Sequence, residues 1–478
     1  MQRAHSWIGG REDQSGRDWV TVCSPRDPAE GIGAYQEASA ELVDRAVRAA
    51  REALPAWSAR SPISRGELLY QAAEVLAEHN EEIAALAALE MGKPIGEARG
   101  EARRGVAILR YYAGEGSRAV GDVIPAADAG TLQYTVRVPV GVVGVITPWN
   151  FPIAIPLWKA APALAYGNTV VMKPAELSSL TAERIISLIA PLLPPGVLNL
   201  VLGRGAEVGA ALTAHPEVDA VSFTGSSGVG AQIAQTASAR GSKFQLEMGG
   251  KNPVVVADDA DLELAVEKTV NGAMRSAGQK CTATSRVIVL PAIRERFVAA
   301  LTEHVRQLAV GDPLDEGTYV GPLVSKAQYD KVRRLVHSGV QAGARMLVGG
   351  EPPRAKGYYV PPTVFDAVEP EMEIAQEEIF GPVVGVLAAR DIDHAIALAN
   401  GVRYGLSASV FTRDISTALR FVRGIDAGMV RVNEETAGVE YQAPFGGLKQ
   451  SSSHSREQGR AAIDFYTNIK TVAIRAGG

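Results

Sequence analysis

A carboxylate and a thiol bracket one stretch of this chain: Glu247 in Leu246-Glu247-Met248-Gly249-Gly250-Lys251-Asn252-Pro253, and Cys281 in Gly278-Gln279-Lys280-Cys281-Thr282. A thiol attacks carbonyl carbon and a carboxylate takes a proton from water, so together they hold what a covalent acyl-enzyme route needs. A lone cysteine is more often a small buried hydrophobe, but the adjacent Lys280 and the polar, glycine-containing approach favour thiolate over thiol. Pro148-Trp149-Asn150-Phe151-Pro152 puts a side-chain amide between aromatics in a backbone stiffened by prolines. Such an amide can donate to a developing oxyanion; a packed turn is the plainer alternative.

Two further stretches suit a nucleotide. Phe223-Thr224-Gly225-Ser226-Ser227-Gly228-Val229-Gly230 follows an apolar run and opens a helical one, which offers backbone N–H groups and a positive helix end to a pyrophosphate. It lacks the GxGxxG spacing, and glycine in a tight turn is often only structural. Lys173-Pro174-Ala175-Glu176 directly follows another apolar run and places a lysine and a carboxylate where ribose hydroxyls could be held, although a solvated surface pair reads the same way.

The elements that must position these groups alternate. Apolar runs at Val142 to Thr147, Thr169 to Met172, Leu198 to Leu202, Ala220 to Phe223 and Phe244 to Leu246 are separated by helical segments, notably Ala182 to Leu193, Glu207 to Thr213 and Val229 to Ala237. That order predicts a doubly wound parallel sheet, which binds ligands at the carboxyl ends of its strands where the strand order switches. A second α/β region runs from Pro253 through Ser285 to Leu290, to about Gly385, and on through Leu406 to Phe411 and Met429 to Val432. The first hundred residues read as helical after a short polar start, with Ser64-x-x-Glu67 as a capping box and a further helix over Arg103 to Gly114. Leu132 to Val138 alternates like one strand of a hairpin, and Asn468 to Ile474 like an edge strand that pairs with that hairpin or with another subunit.

Composition narrows the function. Charges of 48 Lys+Arg against 53 Asp+Glu, a net −5 without long single-sign blocks, leave no footprint for nucleic acid or an anionic membrane. Val138 to Trp158 carries no charge, but Pro139, Pro148, Pro152 and Pro156 break the helix that a spanning segment needs, so it reads as a buried strand leading into an irregular loop. Two cysteines, Cys23 and Cys281, form no disulfide framework and fit a reducing cytoplasm. The seven histidines show no metal-ligand spacing, so no metal is expected.

Taken together, PWNFP, KPAE, FTGSxxxG, LEMGGKNP, GQxCT, EEIFGPV and PFGG occur in this order over nearly the whole chain, and they resemble the aldehyde dehydrogenase superfamily. The resemblance implies an α/β fold: a Rossmann-type NAD(P)-binding domain over 1–120 and 141–249, an α/β catalytic domain over 250–449, and a hairpin and terminal-strand oligomerisation element over 121–140 and 450–478. It implies Cys281 as nucleophile, Glu247 as general base and Asn150 as oxyanion donor. NAD or NADP would be held by Ile146, Trp149, Lys173, Glu176, Gly225, Ser226, Gly230, Glu378 and Phe380. A homodimer or homotetramer acting on a small aldehyde follows. Thr436 to Tyr441 before PFGG, with Arg456-Glu457-Gln458-Gly459 after it, resembles the 2-oxoglutarate semialdehyde dehydrogenases, although His454 and Ser455 stand where that group has glycine and often proline. A semialdehyde acid needs a cation for its remote carboxylate; Arg275 is the candidate, with Trp158 and Phe445 as further pocket residues. Succinate or glutarate semialdehyde, an aromatic aldehyde, a CoA-acylating reaction and a non-catalytic relative are the alternatives.

Overall fold

In the computed structural model, which describes residues 2–475 apart from 119, 353 and 355, the buried run Val142–Ile146 is the third strand from one edge of a seven-stranded sheet. Thr169–Lys173 and Leu198–Leu200 lie successively on one side of it, and Ala220–Thr224 and Lys243–Glu247 on the other, all parallel. The strand order therefore reverses at Val142–Ile146, and Pro148 to Asn150 leave from its carboxyl end. Alternate residues feed two cores: Val143, Val145 and Val170 pack with the helices of one face, and Val142, Ile146, Val171 and Phe223 with those of the other. Burial on both faces explains why these strands read as unbroken apolar runs.

The second sheet has the spatial order Arg345–Val348, Thr363–Asp366, Val383–Ala388, Thr284–Val289, Asn252–Val256, Ser407–Phe411, Met429–Val432, parallel except for its first strand. The chain passes from Lys243–Glu247 of one sheet to Asn252–Val256 of the other through Met248-Gly249-Gly250-Lys251, with no helix between. Consequently the carboxyl ends of the first sheet face the amino ends of the second. Cys281 stands three residues before Thr284–Val289, at an amino end. The rule that ligands gather at carboxyl ends holds here for one sheet only.

A third sheet pairs the terminal strand Thr467–Arg475 antiparallel with Thr131–Pro139, from Thr467 opposite Pro139 to Arg475 opposite Thr131, and Val123–Ile124 completes it. The hairpin is thus the terminal strand's partner within the chain. Residues 1, 119 and 476–478, included in the expected domain and oligomerisation spans, lie outside the described residues.

Four local expectations need correction. Among the described residues, five strands occupy Gln2 to Gln36, where a short polar start had been read; pieces such as Gln2–Ala4 and Arg11–Asp13 are too short and too polar to show alternation. The helix expected behind Ser64 begins at Pro62, and it is Ser61 whose side chain accepts from Ser64 N; proline at the first helical position outweighs the later capping box. Arg103 to Gly114 is the second half of the longer helix Ile95–Ala113. Inside the proline-rich run, the helix Ala154–Ala165 starts with Pro156 in its first turn, where no intrahelical donor is needed.

Candidate active site

Cys281 and Asn150 line one groove between the two sheets, together with Trp149, Gly225, Ser226, Met248, Glu378 and Phe380. The Cys281 loop is forced into place. Ser276, Ala277 and Gly278 are all left-handed, with φ of 55°, 52° and 67°, a conformation costly for the first two and retained only where surroundings dictate it. Glu97 supplies one constraint, accepting from Ser276 N at 2.9 Å and Ser276 Oγ at 2.6 Å. Gly278 supplies another, since a Cβ there would stand 2.0 Å from Gly381 O. Asn150 Nδ2 then donates to Gln279 O at 3.0 Å, and Asn252 Nδ2 to Cys281 O at 2.8 Å. One N–H of the buried Asn150 amide is thereby fixed, and the other is free for a substrate oxygen.

Electrostatics overturn one expectation. Burial pushes the Cys281 thiol up to about 12, with Glu378 and Glu247 adding to the effect. Lys280 does not offset this, because its buried ammonium turns away to Asn271 O at 3.2 Å. Sequence adjacency put a cation next to the sulfur; side-chain direction removed it. Alkylation of Cys281 by iodoacetamide in the ligand-free protein is therefore expected to climb about tenfold per pH unit from 7 to 9, as a thiol well below its pKa must. Peptide mapping separates it from the exposed Cys23; a plateau below pH 8 would contradict a protonated resting thiol.

Glu247 ends the edge strand Lys243–Glu247 and is buried. Its Oε2 accepts from Ser452 Oγ, while Oε1 is without a hydrogen bond. Burial, then the charge of Glu457, holds its carboxyl well above the usual range. Glu457 is itself bound by Lys159 Nζ and by Trp158 Nε1 at 2.8 Å. Trp158 tilts over Phe445 with ring centroids 5.5 Å apart, so these two expected pocket residues are buried beside Glu457 and do not line the groove. Ser452 and Lys159 carry no mark in the sequence, and Glu457 stands there only within Arg456-Glu457-Gln458-Gly459 with no role at the base, since only the fold brings the C-terminal segment to Glu247.

The groove fits a dinucleotide. Ser226 caps the helix Ser227–Ala239 and, with Gly225, faces the groove at its positive end. Gly230 lies behind this turn; a Cβ there would meet Met248 Sδ at 2.6 Å, so its glycine serves packing. Lys173 is buried at a strand end, 3.6 Å from the half-exposed Glu176. Ile146 is buried one residue before Thr147. Trp149 stands edge-on to Phe380 at 5.5 Å. Phe380 is left-handed, φ 60°, and Gln328 Nε2 grips its carbonyl at 2.8 Å. Glu378 Oε1 accepts from Gly250 N at 2.9 Å. Gln328 and Lys331 also line the groove; no local motif marked them. Arg275 is exposed, its guanidinium 5.7 Å from the centre of the Tyr319 ring.

Comparison with known proteins agrees with this geometry. The model of the "Aldehyde dehydrogenase family" matches residues 11–472. The alpha-ketoglutaric semialdehyde dehydrogenase of Bacillus subtilis is 55% identical over 98% of this chain and 96% of its own length. The alpha-ketoglutarate semialdehyde dehydrogenase of Haloferax volcanii is 42% identical, covering 95% and 97%. Among solved structures, an NAD-dependent aldehyde dehydrogenase from Sinorhizobium meliloti superposes with a TM-score of 0.97 at 38% identity, covering 100% of this chain and 95% of that one. Betaine aldehyde dehydrogenase from Staphylococcus aureus, crystallised with NAD+, gives 0.95 at 36% identity, covering 98% and 94%.

Proposed function

The chain belongs to the aldehyde dehydrogenase family, and from that premise we propose that it oxidises 2-oxoglutarate semialdehyde, a short aldehyde acid, to the dicarboxylate with NAD+ as acceptor. The observation that carries the substrate is the 55% identity, across nearly the whole of both chains, to an enzyme named for that aldehyde. NAD+ is favoured by the titles of solved relatives and by Glu176, whose carboxylate suits ribose hydroxyls and repels a 2′-phosphate.

In this reading Cys281 loses its proton to solvent water in the groove, the thiolate adds to the aldehyde carbon, and the free Asn150 N–H meets the carbonyl oxygen that takes up the negative charge. Lys173, Glu176, Gly225, Ser226, Glu378 and Phe380 hold the dinucleotide, which when bound supplies the hydride acceptor. The acyl group then rests on Cys281 as a thioester, and Glu247 takes a proton from the water that cleaves it. A base with no role in thiol transfer argues against CoA as acceptor. The protein works as a homodimer or homotetramer in the cytoplasm, assembled through the hairpin sheet, where Val123, Leu132, Ile469 and Ile474 leave apolar side chains exposed.

A panel of 2-oxoglutarate, succinate and glutarate semialdehydes, benzaldehyde and butanal, each with NAD+ and with NADP+, tests the reading. The expected ranking by kcat/KM puts 2-oxoglutarate semialdehyde with NAD+ first. Benzaldehyde or butanal leading, or acyl-CoA accumulating when CoA is added, would overturn it.

A further inference from the structure

Two arginines that the fold brings near each other stand without an ion pair among the described residues. Arg104, in the helix Ile95–Ala113, and Arg431, in the strand Met429–Val432, are both part-buried. Among the described residues neither makes an ion pair, and Arg431 Nε is buried without a hydrogen bond. Other enclosed arginines are matched: Arg26 binds Glu30 and Asp312, and Arg286 binds the carbonyls of Lys251, Leu398 and Ala399. An arginine drawn out of water is ordinarily paired, so an unmatched pair needs an explanation.

Their placement supplies one. Arg431 Nη1 is 3.5 Å from where a Cβ on Gly438 would stand. Two residues earlier, Thr436 Oγ1 donates to Thr282 O at 2.8 Å, and Thr282 adjoins Cys281. Arg104 lies one turn after Glu101, whose carboxylate accepts from Ile153 N and Ala154 N at 2.8 and 2.9 Å, at the close of the turn that carries Asn150. It lies two turns before Tyr111, which stands edge-on to Tyr441 at 5.8 Å. The charged groups around Arg104 are Glu440, Glu101 and Arg431, with the Tyr441 hydroxyl beside them. Glu101 already holds Lys93 in a buried pair. Glu440 is then the carboxylate left to face Arg104, which has Arg431 as a cationic neighbour, and neither arginine lines the dinucleotide groove.

We propose that Arg104 and Arg431 together bind the remote carboxylate of the aldehyde acid and set the enzyme's preference for carboxylated over uncharged aldehydes. The inference rests on the semialdehyde-acid reading above and names the groups that would enforce it. Guanidiniums suit the task because each offers a planar fork to a carboxylate. Arg275 is a weaker claimant, being exposed and already seated over Tyr319, with Glu97 and Glu435 as charged neighbours.

The test compares kcat/KM for 2-oxoglutarate and succinate semialdehydes with that for butanal in wild type, Arg104→Gln, Arg431→Gln and Arg275→Ala. Each glutamine variant is expected to lose about 10- to 100-fold on the acids, mainly through KM, the range of a lost charged hydrogen bond, and less than about threefold on butanal. Arg104→Lys and Arg431→Lys, which keep the charge but lose the fork, should fall between. If a glutamine variant also fails on butanal, its lysine variant decides: a selective loss upholds the pair, none overturns it. Wild type without preference for the acids sinks the substrate reading itself. A wild-type preference that survives in every Arg104 and Arg431 variant, or is abolished by Arg275→Ala alone, sinks only the arginine pair.

Discussion

Glu247→Gln is expected to release one equivalent of reduced nicotinamide per active site and then nearly stop, with steady turnover down by about 10³-fold, within the usual range for a general base. The separation follows from geometry. Glu247 lies at the end of the first sheet and its carboxylate, among the described residues, accepts a hydrogen bond from Ser452 alone, whereas Cys281 is tied through Asn252 to the second sheet and Asn150 to the Gln279 carbonyl. Glutamine still accepts from Ser452, so acylation has no reason to change. Stability should move the opposite way. A carboxyl whose folded pKa is raised contributes stability that is complete below its unfolded pKa and lost as pH rises through the folded value. Above the ordinary carboxylate range the buried Glu247 therefore destabilises the fold, and the neutral Gln should raise Tm at pH 8 but not at pH 4. A stopped-flow trace with undiminished steady turnover would refute the assigned base; a Tm at pH 8 below wild type would refute the burial argument.

Cys281→Ala is expected to lose both burst and turnover, on the order of 10⁵- to 10⁶-fold, the scale seen when a covalent nucleophile is removed while the oxyanion donors remain. The fold should tolerate it. The chain around the sulfur is held through backbone atoms: Cys281 O receives Asn252 Nδ2, and the left-handed run before it is tied to Glu97 and packed on Gly381. Removing the sulfur leaves those contacts whole, and alanine stands in a groove already open to solvent. Titration with NAD+ by intrinsic tryptophan fluorescence should give unchanged affinity, because Trp149, Lys173, Gly225 and Phe380 are untouched. Measurable NADH production well above that level would mean that the thiol is not the attacking group.

Much of this site was legible because its parts are local. Asn150, Lys173, Thr224 and Glu247 each end or follow an apolar strand, and their motifs report the backbone turn that presents them. Groups whose roles depend on distant packing carried no such mark. Glu97 steers the Cys281 loop from a helix of the other half; Gln328 grips the Phe380 carbonyl; Lys159 and Glu457 meet only when the C-terminal segment folds back. Lys280 shows the converse. Its neighbour in sequence is Cys281, yet the side chain leaves for Asn271 O, since adjacency along a chain fixes proximity but not direction. The short N-terminal strands escaped because three-residue pieces have no period to detect, and the arginine pair because Arg104 and Arg431 look like ordinary surface charges until their surroundings are known.

Met248-Gly249-Gly250-Lys251 joins the carboxyl edge of one sheet to the amino edge of the other. The proposed nucleophile is encoded after this strip and the proposed base just before it, yet Glu97 and Asn150, which hold the Cys281 loop, come from upstream, and Ser452, which holds Glu247, from downstream. A graft made here between two related enzymes would therefore divide both half-reactions between two parents, and a change in the ratio of burst to steady rate would show which half suffers more from the splice.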